Sequence, residues 1–183
     1  MFIMKKIYNL LVVFLFVAAS VQSQENIPFW NEVQSFKKQD SLKFPATNQI
    51  LFIGSSSFTM WQDVAQYFPK HKILNRAFGG SSLTDLIRFR YDVVYPYQPK
   101  QIVMYCGEND FAGSDTVTAQ LVFARFKQLF SIIREHYTKV KITYVSMKPS
   151  PSRFRLMPKM LEANLLIKNF LKKKKKTSFV DVY

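Results

Sequence analysis

A chain of 183 residues is long enough for one domain of about 150 residues and a short targeting segment, which excludes two full domains. Hydrophobic residues make up 48% of the chain and charged residues 21%, a composition that excludes a disordered protein. The net charge of +14 favours anionic partners without choosing among them, and one cysteine with two histidines excludes an internal disulfide and a Cys-rich zinc site.

The first segment has the pattern of a secretory signal peptide. Lys5 and Lys6 precede an apolar run over residues 10–19, and the small residue Ser23 suits cleavage shortly afterwards. An uncleaved membrane anchor is the alternative, but the run is shorter than the roughly 20 residues that a spanning helix needs. We therefore expect residues 1–23 to be a signal peptide, the protein to be periplasmic or secreted, and the mature chain to have no stable membrane insertion.

Five short runs rich in β-branched and aromatic residues predict buried strands. Helical patterns separate them, and this alternation predicts a parallel sheet with helices on both faces. The fold class we predict is α/β, with three layers and a five-stranded parallel sheet in the flavodoxin-like order 2-1-3-4-5. The predicted strands cover residues 50–53, 73–74, 102–105, 142–145 and 179–182.

Apolar residues spaced three or four apart predict the helices that cover this sheet. A leading helix over residues 31–43 is expected to pack outside the sheet. The apolar faces of the other three are Leu83, Ile87, Tyr91 and Val94; Val122, Phe126, Leu129 and Ile133; and Met160, Ala163, Ile167 and Phe170.

Three serines follow the first predicted strand at a glycine turn. Gly54 allows a sharp turn, and Ser55, Ser56 and Ser57 come next at the mouth of a helix. Such a strand-to-helix turn exposes a hydroxyl above the sheet, so a nucleophilic serine is one interpretation. The other is that Ser56 or Ser57 only caps the helix.

The next two strands also end in turns that carry polar groups. The second is followed by Gly79 and Gly80, where the backbone amide of Gly80 can approach a ligand closely. The third is followed by Gly107 and Asn109, whose side-chain amide could point to the same place. Strands one, two and three are neighbours in the order 2-1-3, so we expect these three turns to converge on one site.

The motifs at these turns resemble the SGNH or GDSL-type esterases and acylhydrolases, which include proteins similar to platelet-activating-factor acetylhydrolase. The resemblance runs from about residue 50 onward through GSSS, NRAFGG and GEND, with Ser55 in place of the family's usual aspartate. It implies that Ser56 is the nucleophile and that Gly80 and Asn109, with the Ser56 amide, form the oxyanion hole. It also implies an acyl-enzyme mechanism without a metal or cofactor.

One block of the family pattern, the Asp-x-x-His that supplies the base, is not found in this sequence. Asp181 lies within the last predicted strand, before the place where the pair belongs. His71 and His136 are expected at the opposite end of the sheet. We therefore expect an esterase domain over residues 24–183 that is incomplete at its C-terminus and nearly inactive, with residual catalysis of about 10³–10⁴ over water.

The predicted function is hydrolysis of short acyl or acetyl esters, including esters of carbohydrates, by a serine acyl-enzyme. A non-catalytic sugar- or acyl-binding module on the same scaffold is the alternative. The five lysines 172–176 favour a solvated helix end over a surface-binding role, so neither nucleic acid nor membrane is an expected partner. The oligomeric state stays open. The residues that either line an acyl pocket or belong to the core are Met147, Phe154, Leu156 and Met157.

Overall fold

The computed structural model describes residues 27–148 and 150–183. The predicted signal peptide, residues 1–23, lies outside these ranges. The chain divides into two units, Met1–Trp30 and Asn31–Tyr183. The described part of the first unit is a short turn in which the Trp30 amide donates to the Ile27 carbonyl at 3.1 Å.

The second unit is built on a sheet of five parallel strands in the order β2-β1-β3-β4-β5, which confirms the predicted topology. Gly54, the last residue of β1, pairs with Tyr105, the last residue of β3, so these two neighbouring strands end side by side. The strands are β1 (Ile50–Gly54), β2 (Ile73–Asn75), β3 (Gln101–Tyr105), β4 (Lys141–Val145) and β5 (Thr177–Val180).

The last strand begins two residues earlier than predicted. Thr177 pairs with Ile142, and the Ser178 hydroxyl lies 2.7 Å from the Thr143 hydroxyl on β4. A search for apolar runs misses this polar start, because cross-strand hydroxyl pairs stabilise it instead. Asp181 consequently follows β5 and does not lie within it.

Helices connect the strands throughout the described chain. The leading helix α1 begins at Trp30, one residue before the predicted start. The helices are α1 (Trp30–Leu42), α2 (Ser56–Thr59), α3 (Val64–Tyr67), α4 (Leu83–Arg88), α5 (Arg90–Val93), α6 (Glu108–Ala112), α7 (Ala119–His136) and α8 (Met157–Lys172), with a 3₁₀ turn at Pro151–Leu156 before α8. In the described ranges no helix is both long and apolar enough to cross a membrane.

The prediction of one helical face from Leu83 to Val94 is wrong in part. The helix breaks at Phe89, whose amide closes α4 by donating to the Asp85 carbonyl and which also precedes the first residue of α5. Phe89 and Val94 are buried as a result, while Tyr91 is 63% exposed. The faces predicted for α7 and α8 are confirmed, apart from Phe170, which is only half-buried.

The two faces of the sheet are packed differently. On one face, Phe126 of α7 packs edge-on against Tyr144 of β4, and the Lys168 amine of α8 lies over the Phe179 ring. On the other face, Phe58 of α2 packs against Phe52 at 4.6 Å between ring centroids. These two side chains also line an apolar groove of about 460 Å³ that runs across all five strands, from Ile73 of β2 to Val180 of β5.

A buried polar cluster joins α1 to the segment after β2. The Arg76 guanidinium donates to the Asp40 carboxylate and, at 2.8 Å, to the Tyr97 hydroxyl. The Tyr97 hydroxyl in turn donates to Asp40 at 2.6 Å. Burial, followed by the bond to Asp40, raises the pKa of Tyr97. Each polar group in this cluster has a partner, so it fixes the leading helix without leaving an unpaired buried charge.

Candidate active site

The turns that follow β1, β2 and β3 meet at the carboxyl end of the sheet. Three hydrogen bonds join them: the Ser55 amide donates to the Tyr105 carbonyl at 3.0 Å, the Phe78 amide to the Gly54 carbonyl at 3.0 Å, and the Asn109 side chain to the Ser81 carbonyl at 3.0 Å. The structure therefore brings together the three segments that carry Ser56, Gly80 and Asn109.

Gly54 permits the close approach of β1 to β3. Its φ is +139°, and an added Cβ would overlap the Tyr105 carbonyl oxygen and lie 2.8 Å from the carbonyl carbon. Only glycine fits this position without moving the backbone of β3.

The three serines after Gly54 have different surroundings. Ser55 occupies the N-cap of α2 and is buried, so the interpretation of Ser56 or Ser57 as the cap is wrong. Ser57 is half-buried and lies close enough to the Tyr105 hydroxyl to lower the pKa of that group slightly, against the larger effect of burial. Ser56 is the first residue of α2 and is half-buried, and within residues 27–148 and 150–183 its hydroxyl has no hydrogen-bond partner. Ser56 and Ser57 are therefore both more accessible than the buried Ser55.

Ser81 connects the first and third turns of the site, a role that no motif in the sequence indicates. It is fully buried, and its hydroxyl donates to the Gly54 carbonyl at 3.0 Å. Its own carbonyl accepts from the Asn109 side-chain nitrogen at 3.0 Å. This one residue therefore fixes the distance between the first and third turns.

Gly80, directly before Ser81, lies at an exposed point of the second turn with φ +85°. That left-handed conformation is rare for other residues and turns the local backbone away from the strand direction. Asn75, at the end of β2, ties this turn to α2, because its side-chain nitrogen donates to the Phe58 carbonyl at 2.7 Å and its oxygen accepts from the Ala77 amide at 3.0 Å.

Asn109 is held from both ends of its amide. Its nitrogen donates to Ser81, and its oxygen accepts from the Arg153 guanidinium at 2.9 Å. Gly107, just before α6, has φ +133°, and an added Cβ would lie 2.8 Å from the Met147 sulfur. Asn109 follows a predicted strand and could be identified from the sequence, but Arg153, 44 residues away, could not.

The Tyr105 hydroxyl, at the end of β3, donates to the Glu108 carboxylate at 2.6 Å. Ser57 and the Lys148 backbone lie close enough to lower its pKa by smaller amounts. Burial, together with the bond to Glu108, raises the pKa of Tyr105. The hydroxyl stays neutral and serves as a fixed donor.

The Asp110 side chain connects the helices around the site through two hydrogen bonds. One carboxylate oxygen accepts from the Leu83 amide at 2.9 Å, and the other from Arg125 at 2.8 Å. Burial raises the pKa of Asp110, while the bonds to Leu83 and Arg125 oppose that rise. The carboxylate joins α4, α6 and α7, which is a structural role.

Both histidines precede strands, whereas Ser56 follows one. His71 is in the loop before β2, where its amide donates to the Phe68 carbonyl at 2.9 Å. His136 ends α7, before β4, and stacks on Tyr95 with 3.8 Å between ring centroids. Both are at the amino ends of the strands, as predicted. No cluster of three metal-ligating side chains exists in the part of the chain that the structure describes.

The four candidates for an acyl pocket separate into two groups. Met147 and Leu156 are buried in the core, with 0% and 5% exposure. Phe154 is 68% exposed and, with Met157, lines a shallow pocket of about 490 Å³ beside the 3₁₀ turn. Lys172–Lys176 are all exposed, with Lys172 at the end of α8.

No family model and no curated protein sequence matches the chain. Solved structures share its fold. A provisionally assigned acylhydrolase from Bacteroides fragilis has a TM-score of 0.70 at 22% identity, covering 84% of this chain and 78% of that one. A GDSL-like lipase from Bacteroides thetaiotaomicron has a TM-score of 0.68 at 21% identity, covering 82% and 78%.

A variant of an acetyl-xylooligosaccharide esterase from Geobacillus Stearmophilus has a TM-score of 0.58 at 17% identity, covering 73% of this chain and 75% of that one. At these identities the comparison establishes the fold. The chain has the fold of the SGNH/GDSL-type esterases, as the motifs in its sequence predicted.

Proposed function

We propose that this protein hydrolyses carboxylic esters, with Ser56 as the nucleophile. The observation that supports the proposal is the pair of hydrogen bonds made by Ser81, which join the turn that carries Ser56 to the turn that carries Asn109. The matching solved structures include acylhydrolases, a lipase and a carbohydrate esterase, which supports ester hydrolysis at the level of the family.

In this mechanism the Ser56 oxygen attacks the ester carbonyl carbon and loses its proton to a base. The negative charge moves to the carbonyl oxygen, where the amides of Ser56 and Gly80 and the side chain of Asn109 donate hydrogen bonds. The carbon–oxygen bond to the alcohol then breaks, and the alcohol leaves with a proton. Water hydrolyses the acyl-serine in a second, equivalent step.

Neither histidine of the chain lies where it could accept the Ser56 proton. The sequence holds two histidines, and both lie at the opposite end of the sheet. A serine without an adjacent base is a poor nucleophile at neutral pH. We therefore propose that the chain hydrolyses esters slowly and that added imidazole, acting as an external base, raises the rate of hydrolysis.

The substrate class we propose is a short acyl or acetyl ester, including acetylated carbohydrate. The support is the acetyl-xylooligosaccharide esterase among the similar structures. We also propose that residues 1–23, which lie outside the described ranges, are a signal peptide and that the protein is exported.

The test is hydrolysis of p-nitrophenyl acetate with and without imidazole. General-base catalysis contributes about 10²–10⁴-fold to a rate. After the rate without protein is subtracted, we expect imidazole to raise the wild-type rate of hydrolysis by at least about tenfold. Ser56→Ala should lose this increment, whereas Ser57→Ala, which changes the neighbouring hydroxyl, should keep most of it. An equal increment in wild type and Ser56→Ala would contradict the proposal.

A non-catalytic module that binds sugar or acyl groups is the second candidate. The positions of His71 and His136 favour it, since they leave Ser56 without an imidazole. It predicts that wild type and Ser56→Ala bind an acetylated oligosaccharide equally well and that neither is stimulated by imidazole.

A further inference from the structure

Arg153 reaches the candidate oxyanion site from the fourth strand end. It lies in the 3₁₀ turn between β4 and α8 and is half-buried. One terminal nitrogen donates to the Asn109 side-chain oxygen at 2.9 Å, and the other donates to the Glu108 carbonyl at 3.3 Å. The guanidinium therefore spans the side chain of one residue and the backbone of its neighbour.

These contacts determine the orientation of the Asn109 side-chain amide. In the observed orientation, the amide nitrogen faces the Ser81 carbonyl and the amide oxygen faces the guanidinium. Rotation by half a turn would place oxygen against the Ser81 carbonyl and nitrogen against Arg153, so that two acceptors and two donors would face each other. Both hydrogen bonds would be lost together, and this penalty selects one orientation.

The same contacts leave one Asn109 proton for a ligand. A side-chain amide nitrogen carries two protons, and the bond to Ser81 uses one of them. A cation on the amide oxygen also draws electron density from the nitrogen, which strengthens the remaining N–H as a donor.

We propose that Arg153 is a positioning residue that holds the Asn109 amide in the orientation needed for the oxyanion hole and increases its strength as a donor. The inference rests on the proposed function, because the oxyanion exists only if the chain hydrolyses esters. Arg153 acts through Asn109, and the segment after β4 thereby belongs to the site.

The direct test is the solvent exchange of the Asn109 side-chain amide protons, measured by NMR on the ¹⁵N-labelled chain. The resonances are assigned by their absence in Asn109→Asp. A charge-assisted hydrogen bond is worth about tenfold or more in an equilibrium constant, so Arg153→Met should exchange at least about tenfold faster than wild type. Arg153→Lys, which keeps the charge but not the planar fork, should fall between them.

Arg155→Met is the matched control, since Arg155 lies in the same turn, is exposed and pairs with Asp115 at 3.1 Å. It should exchange at the wild-type rate. If Arg153→Met does not fold, the comparison is made with Arg153→Lys. Wild-type exchange in the folded Arg153 variant overturns the proposal, as does an equal increase in Arg155→Met.

Hydrolysis of p-nitrophenyl acetate in imidazole gives the second readout. A misoriented donor lowers the stabilisation of the transition state more than that of the bound ester. Arg153→Met should therefore lower kcat by about tenfold with little change in KM, and Arg153→Lys should recover part of the loss. Faster amide exchange without any Ser56-dependent hydrolysis in the wild type would support the positioning of Asn109 and contradict the proposed function.

Discussion

Replacing Gly54 with alanine is expected to destabilise the fold by more than about 3 kcal/mol, because two independent costs add. The left-handed φ of +139° is strained for alanine, and its Cβ would meet the carbonyl group of Tyr105 in the neighbouring strand. The obstacle is backbone, so no side-chain rotation can relieve it. Separating β1 from β3 would also pull apart the turns that carry Ser56 and Asn109.

Urea unfolding followed by far-UV circular dichroism measures this effect. Gly79→Ala is the matched control, since nothing lies within 4 Å of an added Cβ there, and we expect its midpoint to remain near that of the wild type. Equal midpoints for the two variants would show that the turn after β1 tolerates a side chain, against the packing described above.

Replacing Asn109 with alanine is expected to lower the imidazole-supported hydrolysis by about 10²–10³, the usual cost of removing one oxyanion-hole donor. Asn109→Asp should be equally poor, because it keeps the size but replaces the N–H donor with a negative charge. The loss should appear in kcat, since the donor acts mainly on the charge that develops in the transition state.

Asn169→Ala controls for the removal of an asparagine, because Asn169 is an exposed residue of α8. Its activity should equal that of the wild type. A circular dichroism spectrum for Asn109→Ala identical to the wild type would separate a loss of chemistry from a loss of fold. Retention of more than about half the activity in Asn109→Ala would remove this side chain from the proposed oxyanion hole.

The sheet could be predicted from the sequence because its strands are short runs of apolar residues buried on both faces. The same criterion placed β5 two residues late, since Thr177 and Ser178 pair by hydroxyl contacts that hydropathy does not reveal. The break at Phe89 was also missed, because residues 83–94 continue an apolar spacing that looks helical throughout.

The positions of Ser56, Gly80 and Asn109 could be predicted because each follows a strand closely. Ser81 and Arg153 could not, since their roles depend on contacts across 27 and 44 residues of sequence. A serine beside a glycine pair is typical of a turn, and an arginine in a loop is usually a solvated surface charge. Only the folded chain shows that both hold Asn109.

A fluorophosphonate ester reacts with an activated serine and would show whether Ser56 is the reacting group. The purified chain is treated with the reagent in imidazole buffer and digested, and the modified peptide is sequenced by mass spectrometry. We expect the Ser56 oxygen to displace fluoride and form a phosphonyl ester, at least about tenfold more slowly in Asn109→Ala because negative charge develops on the phosphoryl oxygen in the transition state. Modification of Ser57 or Tyr105 in place of Ser56, or equal modification of the Ser56→Ala variant, would contradict this expectation.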